Sequence, residues 1–532
     1  MPLLLVCRNF RDVVYLRYSK VCALKLCTQS NKVTTTWRSW PECLQENVHT
    51  GHGLAKELFI KVDAWTIFNG RLLVALSRAP YSGCLFPRVR VIELWFGSDS
   101  FGKSSSVRPS TIRANTDEFV SRLFQMAPAA SKIKISGYCF KWCLPEPAMP
   151  YFIQLVLKLC QSFKHIKYEI YCFDYKFTSQ QVDKICDLVH LDYNIRDDCE
   201  EALQLARQNA PTLQSLVIYF SSVTDISSLI QDSDGSYAEY PFLRTLELRN
   251  DTGLGMSYDL ESTLPRRSKR DISRLPVFAG AIPFPGLRRL CIRMDYPFGD
   301  DMLFRGNSAT LEYLDLQLFP ALIDRVKHHK VFTPVSHPRL WCVKIHQMDD
   351  FKLPNFETAE EYVRFALSVG PHAQVRMIDD LPYNADLIPI PPLFDGFTDI
   401  RTLSLSNTCP AFWDVVSLIT RLPNLSYLCT NSPRFGWMPS GVTVRKLPAF
   451  VISKYAPMSE RFRRWHFDYE YNCKPSEIAR CVLLLALVCP NFDFINPHYY
   501  RHPWLMSHMK RVAGLQGFKD HTKRLLRLLT EP

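Results

Sequence analysis

A few side chains in the sequence are of the types that bind metals or carry out acid–base chemistry. Cys139 and Cys143 are four residues apart, both residues at 328–329 are histidine, and aspartate doublets occur at 349–350 and 379–380. None of these groups has the further ligands that a zinc site needs, and acidic doublets in loops are typical of solvated turns. Motifs for phosphate loops, dinucleotide binding, serine hydrolases and zinc proteases do not occur in the sequence. The sequence therefore predicts no catalytic residue, no metal site and no cofactor, and it favours a protein that is not an enzyme.

The composition favours an intracellular protein over a secreted or membrane-spanning one. The chain has 532 residues, 18 cysteines and a formal net charge of +12. Scattered cysteines without a secretory signal indicate reduced thiols, so we expect the protein in the cytoplasm or nucleus. No run of about 18 apolar residues occurs, and we expect no membrane partner. The mild excess of basic residues favours acidic partners. It is too small to predict binding to nucleic acid.

One phrase, P-x-L-x-x-L-x-L with any apolar residue at the L positions, recurs along the chain. It is clearest in APTLQSLVI, YPFLRTLEL and FPGLRRLCI, which begin at Ala210, Tyr240 and Phe284. Further copies have their proline-equivalent residue at Pro87, Pro128, Ala309, Pro338, Thr398 and Glu460, and looser ones at Gly53, Pro423 and Pro490. Longer gaps predict degenerate copies around 166–170 and 375–378. The last two apolar positions alternate with polar ones, which is the period of a short strand.

Segments with helical periodicity separate these predicted strands. They are TDEFVSRLFQMAP from Thr116, TAEEYVRFALSVGP with a Thr358…Glu361 capping box and a stop at 370–371, AFWDVVSLITRLP, and PSEIARCVLLLALVCP. A strand, a turn, a helix and the next strand form the unit of a leucine-rich-repeat solenoid. One unit cannot bury its apolar face alone, so about 12–14 units are expected to stack. The predicted fold is thus α/β, with a curved parallel sheet on the concave side and helices on the convex side.

The residues that flank the last two apolar positions point to the opposite face of each predicted strand. We expect this concave face to bind a partner through Lys132, Lys134, Arg249, Arg289, Arg293, Lys344, His346, Arg464 and His466. Basic residues outnumber acidic ones there, so the predicted partner is a protein with an acidic or phosphorylated segment. Arg289 and Arg293 share one face of one strand, and we expect their reversal to weaken binding with little effect on folding.

The N-terminal sequence LLLVCRNFRDVVYLRY, residues 3–18, resembles the closing third of an F-box. That segment of the family reads Leu-x-x-Val-Cys-Arg/Lys-x-Phe/Trp-x-x-Val/Leu, and the matching positions here are Leu3, Val6, Cys7, Arg8, Phe10 and Val13. The family's opening Leu-Pro-x-Glu-Ile-Leu helix has no counterpart in this sequence. The resemblance implies docking to the linker subunit of a cullin-type (SCF) ubiquitin ligase through Leu3, Val6, Phe10 and Val13. An F-box followed by leucine-rich repeats is a pairing that is abundant among fungal proteins.

Several interpretations stay open. Residues 3–18 are equally well interpreted as an amphipathic helix that caps the first repeat. The basic stretch at 264–276 is interpreted as a solvated insertion or a nuclear-import signal, and 521–532 as a cap helix or a segment that lies on an acidic surface.

The expected division of the chain follows from these assignments. Residues 1–50 form a partial F-box-like helix and N-terminal cap, residues 51–497 form the repeats with a long loop at 250–283, and residues 498–532 form a C-terminal helical cap. The predicted function is a substrate receptor of the ligase, which holds its target on the concave face. The alternatives are a stand-alone scaffold of the same fold without a ligase partner and, more weakly, an activator of a small GTPase.

Overall fold

The structure is a computed structural model that contains two compact units, comprising residues 1–287 and 288–532. The residues it describes are 23–27, 34–37, 57–62, 64–77, 86–96, 107–138, 149–171, 178–194, 200–220, 226–231, 235–250, 282–294, 302–304, 306–317, 337–346, 359–378, 390–405, 408–431, 433–436, 438–468, 474–494, 503–521, 523 and 525. In each unit, parallel strands alternate with helices, which confirms the predicted α/β class. Its assignment to the leucine-rich repeats stays a prediction.

The first unit is built around a sheet whose strands follow one another in chain order. The strands are β1 (Ala23–Cys27), β2 (Thr34–Trp37), β3 (Glu57–Val62), β4 (Val91–Phe96), β5 (Lys132–Tyr138), β6 (His165–Tyr171), β7 (His190–Asn194), β8 (Ser215–Phe220) and β9 (Thr245–Asn250). From β3 to β9, each strand pairs in parallel with the next. Strand β1 pairs in parallel with β3 and antiparallel with β2. The helices are Ala64–Phe68, Arg71–Ser77, Pro109–Met126, Met149–Ser162, Ser179–Val182 and Glu200–Gln208, with a 3₁₀ turn at Ser227–Leu229.

The second unit repeats this arrangement. Its strands are β10 (Arg289–Arg293), β11 (Tyr313–Gln317), β12 (Cys342–His346), β13 (Val375–Ile378), β14 (Thr402–Leu405), β15 (Tyr427–Asn431), β16 (Arg464–Asp468) and β17 (Asp493–Phe494). Each pairs in parallel with the next. The helices are Ala359–Ser368, Ile390–Leu393, Phe412–Arg421, Leu447–Tyr455, Pro475–Val488, Pro503–Ala513 and Gln516–Lys519, with a 3₁₀ turn at Met302–Phe304.

The apolar positions of the phrase form the core of both units. In β9 and the turn before it, Leu243, Leu246 and Leu248 are fully buried. Because successive side chains of a strand point to opposite faces, each sheet has an apolar face, which carries these residues, and a second face. We call the second one the polar face; in β9 it carries Glu247 and Arg249. The core arises because each strand contributes its apolar positions in register with the next strand.

The turn that leads into a strand is fixed by backbone hydrogen bonds. Two successive amide groups, such as those of Glu312 and Tyr313, donate to one carbonyl oxygen at the entry to the preceding strand, here that of Arg288. At other strands, two successive amide groups likewise donate to one carbonyl oxygen. These oxygens belong to Arg90, Lys164, Val189, Gln214, Glu312, Gln374, Arg401 and Ser426. Parallel strands need such a fixed entry because no hairpin sets their register.

Several predicted elements are confirmed. The consecutive copies at Pro285, Ala309 and Pro338 become the parallel neighbours β10, β11 and β12. The copy expected at 375–378 is strand β13, and the copy expected at 166–170 lies within β6. The helices predicted from AFWDVVSLITRLP and PSEIARCVLLLALVCP are present at Phe412–Arg421 and Pro475–Val488.

Other elements differ from the prediction. The helix expected to begin at Thr116 begins at Pro109, where the proline occupies the first turn and loses no hydrogen bond. Strand β7 was not predicted, nor were β1 and β2, which lie in the segment expected to form the N-terminal cap. The capping residue Thr358 and the segments 3–18 and 264–276 lie outside the described residues, and of 521–532 only 521, 523 and 525 are described. The division into cap, repeats and cap stays a prediction.

Candidate binding surface

The polar face of the first unit carries equal numbers of basic and acidic side chains. Among the described side chains of β3 to β9, the basic ones are Lys132, Lys134, Lys167 and Arg249, and the acidic ones are Glu57, Glu93, Asp192 and Glu247. Lys134 forms a salt bridge of 3.1 Å with Glu93, and Lys167 forms one of 3.0 Å with Asp192. Half of these charges are therefore paired between neighbouring strands.

Arg249 has two partners on this face. It forms a salt bridge with Glu247 of the same strand, two residues away. Its guanidinium carbon also lies 5.7 Å from the ring centroid of Tyr219 on β8. These contacts hold the predicted binding residue Arg249 in place, and its positive charge is opposed by an adjacent carboxylate.

Two histidines occupy neighbouring positions on β6 and β7. The rings of His165 and His190 stack with 4.4 Å between their centroids. Burial lowers the pKa of both imidazoles, and the nearby Lys132 ammonium lowers both further. Both rings are therefore uncharged at neutral pH. Lys132, a predicted binding residue, is exposed beside them.

The polar face of the second unit contains a buried carboxylate with two basic partners. Asp315 on β11 is 1% exposed. Arg293 donates two hydrogen bonds to it, with distances of 3.1 Å from Nε to Oδ1 and 2.9 Å from Nη2 to Oδ2. His346 Nε2 lies 3.2 Å from Asp315 Oδ1 and 3.3 Å from Arg293 Nη2. Burial alone would raise the pKa of the Asp315 carboxyl, but the hydrogen bonds from His346 and Arg293 lower it well below its usual range.

A second group on this face is centred on a tyrosine. The guanidinium carbon of Arg289 on β10 lies 4.1 Å from the ring centroid of Tyr313 on β11. Lys344 on β12 places its Nζ 5.6 Å from the same centroid. Burial raises the pKa of the Tyr313 hydroxyl, and the Asp315 carboxylate raises it further, so the phenol is protonated at neutral pH. Two cations, on the strands at either side of β11, thus lie near one neutral ring.

The structure brings some of the predicted binding residues together and keeps others apart. Arg289, Arg293, Lys344 and His346 lie together on β10 and β12, while Arg464 and His466 lie on β16 of the same unit. Arg464 is exposed. Lys132, Lys134 and Arg249 belong to the first unit. The predicted docking residues Leu3, Val6, Phe10 and Val13 lie outside the described residues.

The contacts of Arg293 argue against one expectation about these residues. Reversal of Arg289 and Arg293 together was expected to leave folding nearly unchanged, as for surface residues. However, the Arg293 guanidinium is the bidentate partner of a carboxylate that has almost no contact with solvent. Removing it would leave the buried Asp315 carboxylate without its bidentate cation. Arg293 is therefore a structural residue of the polar face.

Sequence reasoning missed Tyr313 and the role of Asp315. Both occupy outward positions of the copy SATLEYLDL, so the alternation that identified the lysines and arginines applies to them as well. Tyr313 was overlooked because the search was for charged residues, and Asp315 was only counted among the outward acids. The signal was the presence of an aromatic and an acidic side chain on the strand between two basic strands.

Among the described residues, no group of three or more histidine, cysteine or acidic side chains is placed to hold a metal ion. No described helix is both long and apolar enough to cross a membrane. No protein-family model matches the sequence, and no curated protein matches it.

Proposed function

We propose that the protein is a leucine-rich-repeat solenoid whose polar face binds another protein. The observation that supports this best is the uniform register of the parallel strands. It places the outward residues of the phrase side by side over many strands, so the face is a continuous surface for recognition. Arginine and aromatic side chains, which are the usual anchors of protein interfaces, lie on it.

We further propose that the bound protein has an acidic or phosphorylated segment. On β10 to β12 the polar face has three basic residues, Arg289, Arg293 and Lys344, against one acidic residue, Asp315. Complementary charge raises the rate and the specificity of association more than it raises affinity. Among its described side chains, the corresponding face of the first unit has no such excess.

The biological role we propose is that of a substrate receptor of a cullin-type ubiquitin ligase in the cytoplasm or nucleus. Residues 3–18 support this through their resemblance to the closing third of an F-box. In this role the polar face holds the target, and Leu3, Val6, Phe10 and Val13 contact the linker subunit. The other subunits of the ligase then transfer ubiquitin to the target.

A pull-down from cells with three variants tests the ligase role. The wild-type chain is expected to recover the linker subunit, and Val6→Glu is expected to abolish that recovery. Arg11→Glu is the matched control, because it introduces the same residue at a position that the motif leaves unspecified. If the wild-type chain recovers no ligase subunit and deletion of residues 1–18 leaves its partners unchanged, the protein is a scaffold without a ligase partner.

A further inference from the structure

The polar face of the second unit carries no charged side chain on three consecutive strands. On β13, β14 and β15 the residues of this face are Val375, Met377, Thr402, Ser404, Tyr427, Cys429 and Asn431. We call these seven residues the neutral patch. On the strands at either side of it, the same face carries Lys344 on β12 and Arg464 on β16. Among the described side chains of the first unit, a charged residue is missing from this face only on β8.

The strand register makes the neutral patch continuous. Across the three strands its residues form two rows, which are Val375, Thr402 and Tyr427, and Met377, Ser404 and Cys429. The side chains are half-buried, apart from that of Ser404, which is buried. The two rows are two residues apart along each strand, or about 7 Å. An α-helix with its side chains is about 10 Å wide, so an extended segment fits the patch better than a helix does.

The neutral patch loses its water at a lower cost than the strands around it. Burying a charged side chain without a partner is far more costly than burying an apolar one. The centres of protein interfaces are accordingly depleted of charged residues and enriched in tyrosine and methionine, and the charges lie at the rim. Tyr427 and Met377 are the two largest side chains of the patch, and the flexible thioether of methionine adapts to the shape of an apolar partner.

We propose that the neutral patch holds an apolar side chain from an extended segment of a protein partner, and that Lys344 and Arg464 bind acidic residues at either side of that side chain. This inference rests on the proposed function, because it assumes that the polar face binds protein. It names the pattern that is recognised, which is acidic, apolar, acidic. Charge complementarity selects this occupant, because a cation lies at each edge of an uncharged surface.

Both cations are suited to this role. Arg464 is exposed. Lys344 is half-buried, and its Nζ lies 5.6 Å from the ring centroid of Tyr313, whose phenol is uncharged at neutral pH. That contact restrains the lysine side chain but does not cancel its charge.

The spacing of the strands sets the length of the recognised pattern. Lys344 on β12 and Arg464 on β16 are four strand intervals apart, or about 19 Å at about 4.8 Å for each interval. An extended segment advances about 3.3 Å for each residue, so about six residue steps separate its two acidic residues. The apolar side chain then lies about midway, above β14.

Three pools of labelled peptides test this pattern by fluorescence anisotropy with the full chain. The first pool has a glutamate, two small uncharged polar residues, a leucine, two more such residues and a second glutamate. The second pool has serine in place of the leucine, and the third has the same composition as the first but places both glutamates next to the leucine. The first pool is expected to bind at least about tenfold more tightly than either of the others, because the second lacks the apolar side chain and the third reaches only one cation. Equal binding of the first pool and either control, or no binding of any pool, overturns the proposal.

A change at the centre of the patch assigns the binding to it. Met377→Lys is expected to weaken binding of the first pool at least about tenfold. It adds a positive charge and so increases the overall attraction to an acidic peptide, which means that a loss reports the patch itself. The matched control is Val217→Lys on β8, which replaces a half-buried apolar residue on the polar face of the first unit and should leave binding unchanged. Equal binding by these two variants overturns the proposal.

Further variants keep the test informative. If thermal melting shows that Met377→Lys is unfolded, Met377→Ser replaces it, and the preference for the leucine pool over the serine pool should shrink in this variant. Lys344→Gln and Arg464→Gln should each bind the first pool about as weakly as the wild type binds the third. If both bind it like the wild type, the edges of the patch do not recognise acidic residues and the proposal fails.

The outcomes separate this inference from the proposed function. If no pool binds while the pull-down still recovers the linker subunit, the receptor role survives and the neutral patch fails. If the first pool binds through Met377 but no ligase subunit is recovered, the patch stands and the receptor role fails. If the chain dimerises as its concentration rises, Met377→Lys abolishes the dimer and no pool binds, a second copy occupies the patch and the proposal is overturned.

Discussion

The buried carboxylate of Asp315 makes the cost of changing Arg293 predictable. We expect Arg293→Glu to lower the free energy of unfolding by about 3 kcal/mol, because it places a second carboxylate beside one that is already removed from water. Chemical denaturation with circular dichroism measures this. The matched control is Arg464→Glu, an exposed arginine on the same face, for which the change should stay within about 0.5 kcal/mol.

Equal stability of these two variants would contradict the structural role of Arg293. The double variant Arg293→Glu with Asp315→Asn provides a second check of the interaction between these two side chains. It removes the repulsion, so part of the lost stability should return if the two side chains interact.

The burial of His337 predicts that stability depends on pH. It is 7% exposed, and burial lowers its pKa from 6.5 to about 4. Between these values the unfolded chain binds a proton that the folded chain does not, so stability falls as the pH is lowered from 6.5 to 4. The contribution amounts to about 3 kcal/mol, at about 1.4 kcal/mol for each unit of pKa difference.

Denaturation of wild type and His337→Gln from pH 7 to pH 4 measures this contribution. The stability of the variant should fall less over the range than that of the wild type. The control is His372→Gln, whose imidazole is 62% exposed. If the pH dependence of His337→Gln matches that of the wild type, the buried histidine does not carry the effect.

At the scale of the element, the end of the helix Ala359–Ser368 is built by two residues. Gly370 has a φ of +58°, the left-handed conformation in which helices commonly end. Arg376, on the apolar face of β13, donates hydrogen bonds to the carbonyl oxygens of Ala366, Val369 and Gly370. The buried arginine thus satisfies carbonyl groups that the helix itself leaves without partners.

Substitution of Gly370 tests how tightly this helix end is packed. A β-carbon at Gly370 would lie 2.6 Å from Leu340 Cδ2, whereas at Gly396, with a φ of +88°, it would meet nothing within 4 Å. Gly396→Ala should cost about 1 kcal/mol through backbone strain alone. Gly370→Ala should cost a further 1–3 kcal/mol, roughly, through overpacking. Equal costs, measured by thermal denaturation, would contradict the close contact with Leu340.

The sequence predicted elements well where the phrase kept its apolar residues and poorly where it did not. In β6 and β7 the third apolar position is occupied by Tyr168 and Tyr193, whose rings stack at 5.2 Å on the apolar face. In β13 the second position is Arg376, so the copy was identified only as degenerate. Tyrosine and arginine fill these positions because neighbouring strands and helices supply their partners, which a single strand cannot reveal.

The candidate site was predictable to a similar extent. Strand alternation correctly placed Arg289, Arg293 and Lys344 on one face. It could not show that Arg293 is engaged by Asp315 or that Tyr313 lies between the other two. Those facts depend on which strands are neighbours and in what register, and this is set by tertiary structure.

At the scale of the whole molecule, net charge and local charge make different predictions for binding. Lys132→Glu and Lys344→Glu each lower the formal net charge from +12 by two units. If long-range attraction dominates, both variants should weaken binding of an anionic peptide equally, and added salt should abolish the difference from the wild type. We expect only Lys344→Glu to lose most of its binding, because its charge lies among the basic residues of β10 to β12. Anisotropy titrations of a labelled peptide with a central phosphoserine, at two salt concentrations, measure this.

The paired amide groups at the starts of the strands, which donate to one carbonyl oxygen of the preceding strand, affect how such a surface can evolve. The carbonyl oxygens that accept them belong to residues as different as Val189, Glu312 and Arg401, because the bonds involve no side chain. Only proline is excluded at the two donor positions, since it lacks the amide hydrogen. These backbone bonds therefore hold the register whatever side chains occupy the exposed positions of the polar face. Point substitutions at such positions, unlike changes at Arg293 or Asp315, can give a descendant a new partner while the fold is kept.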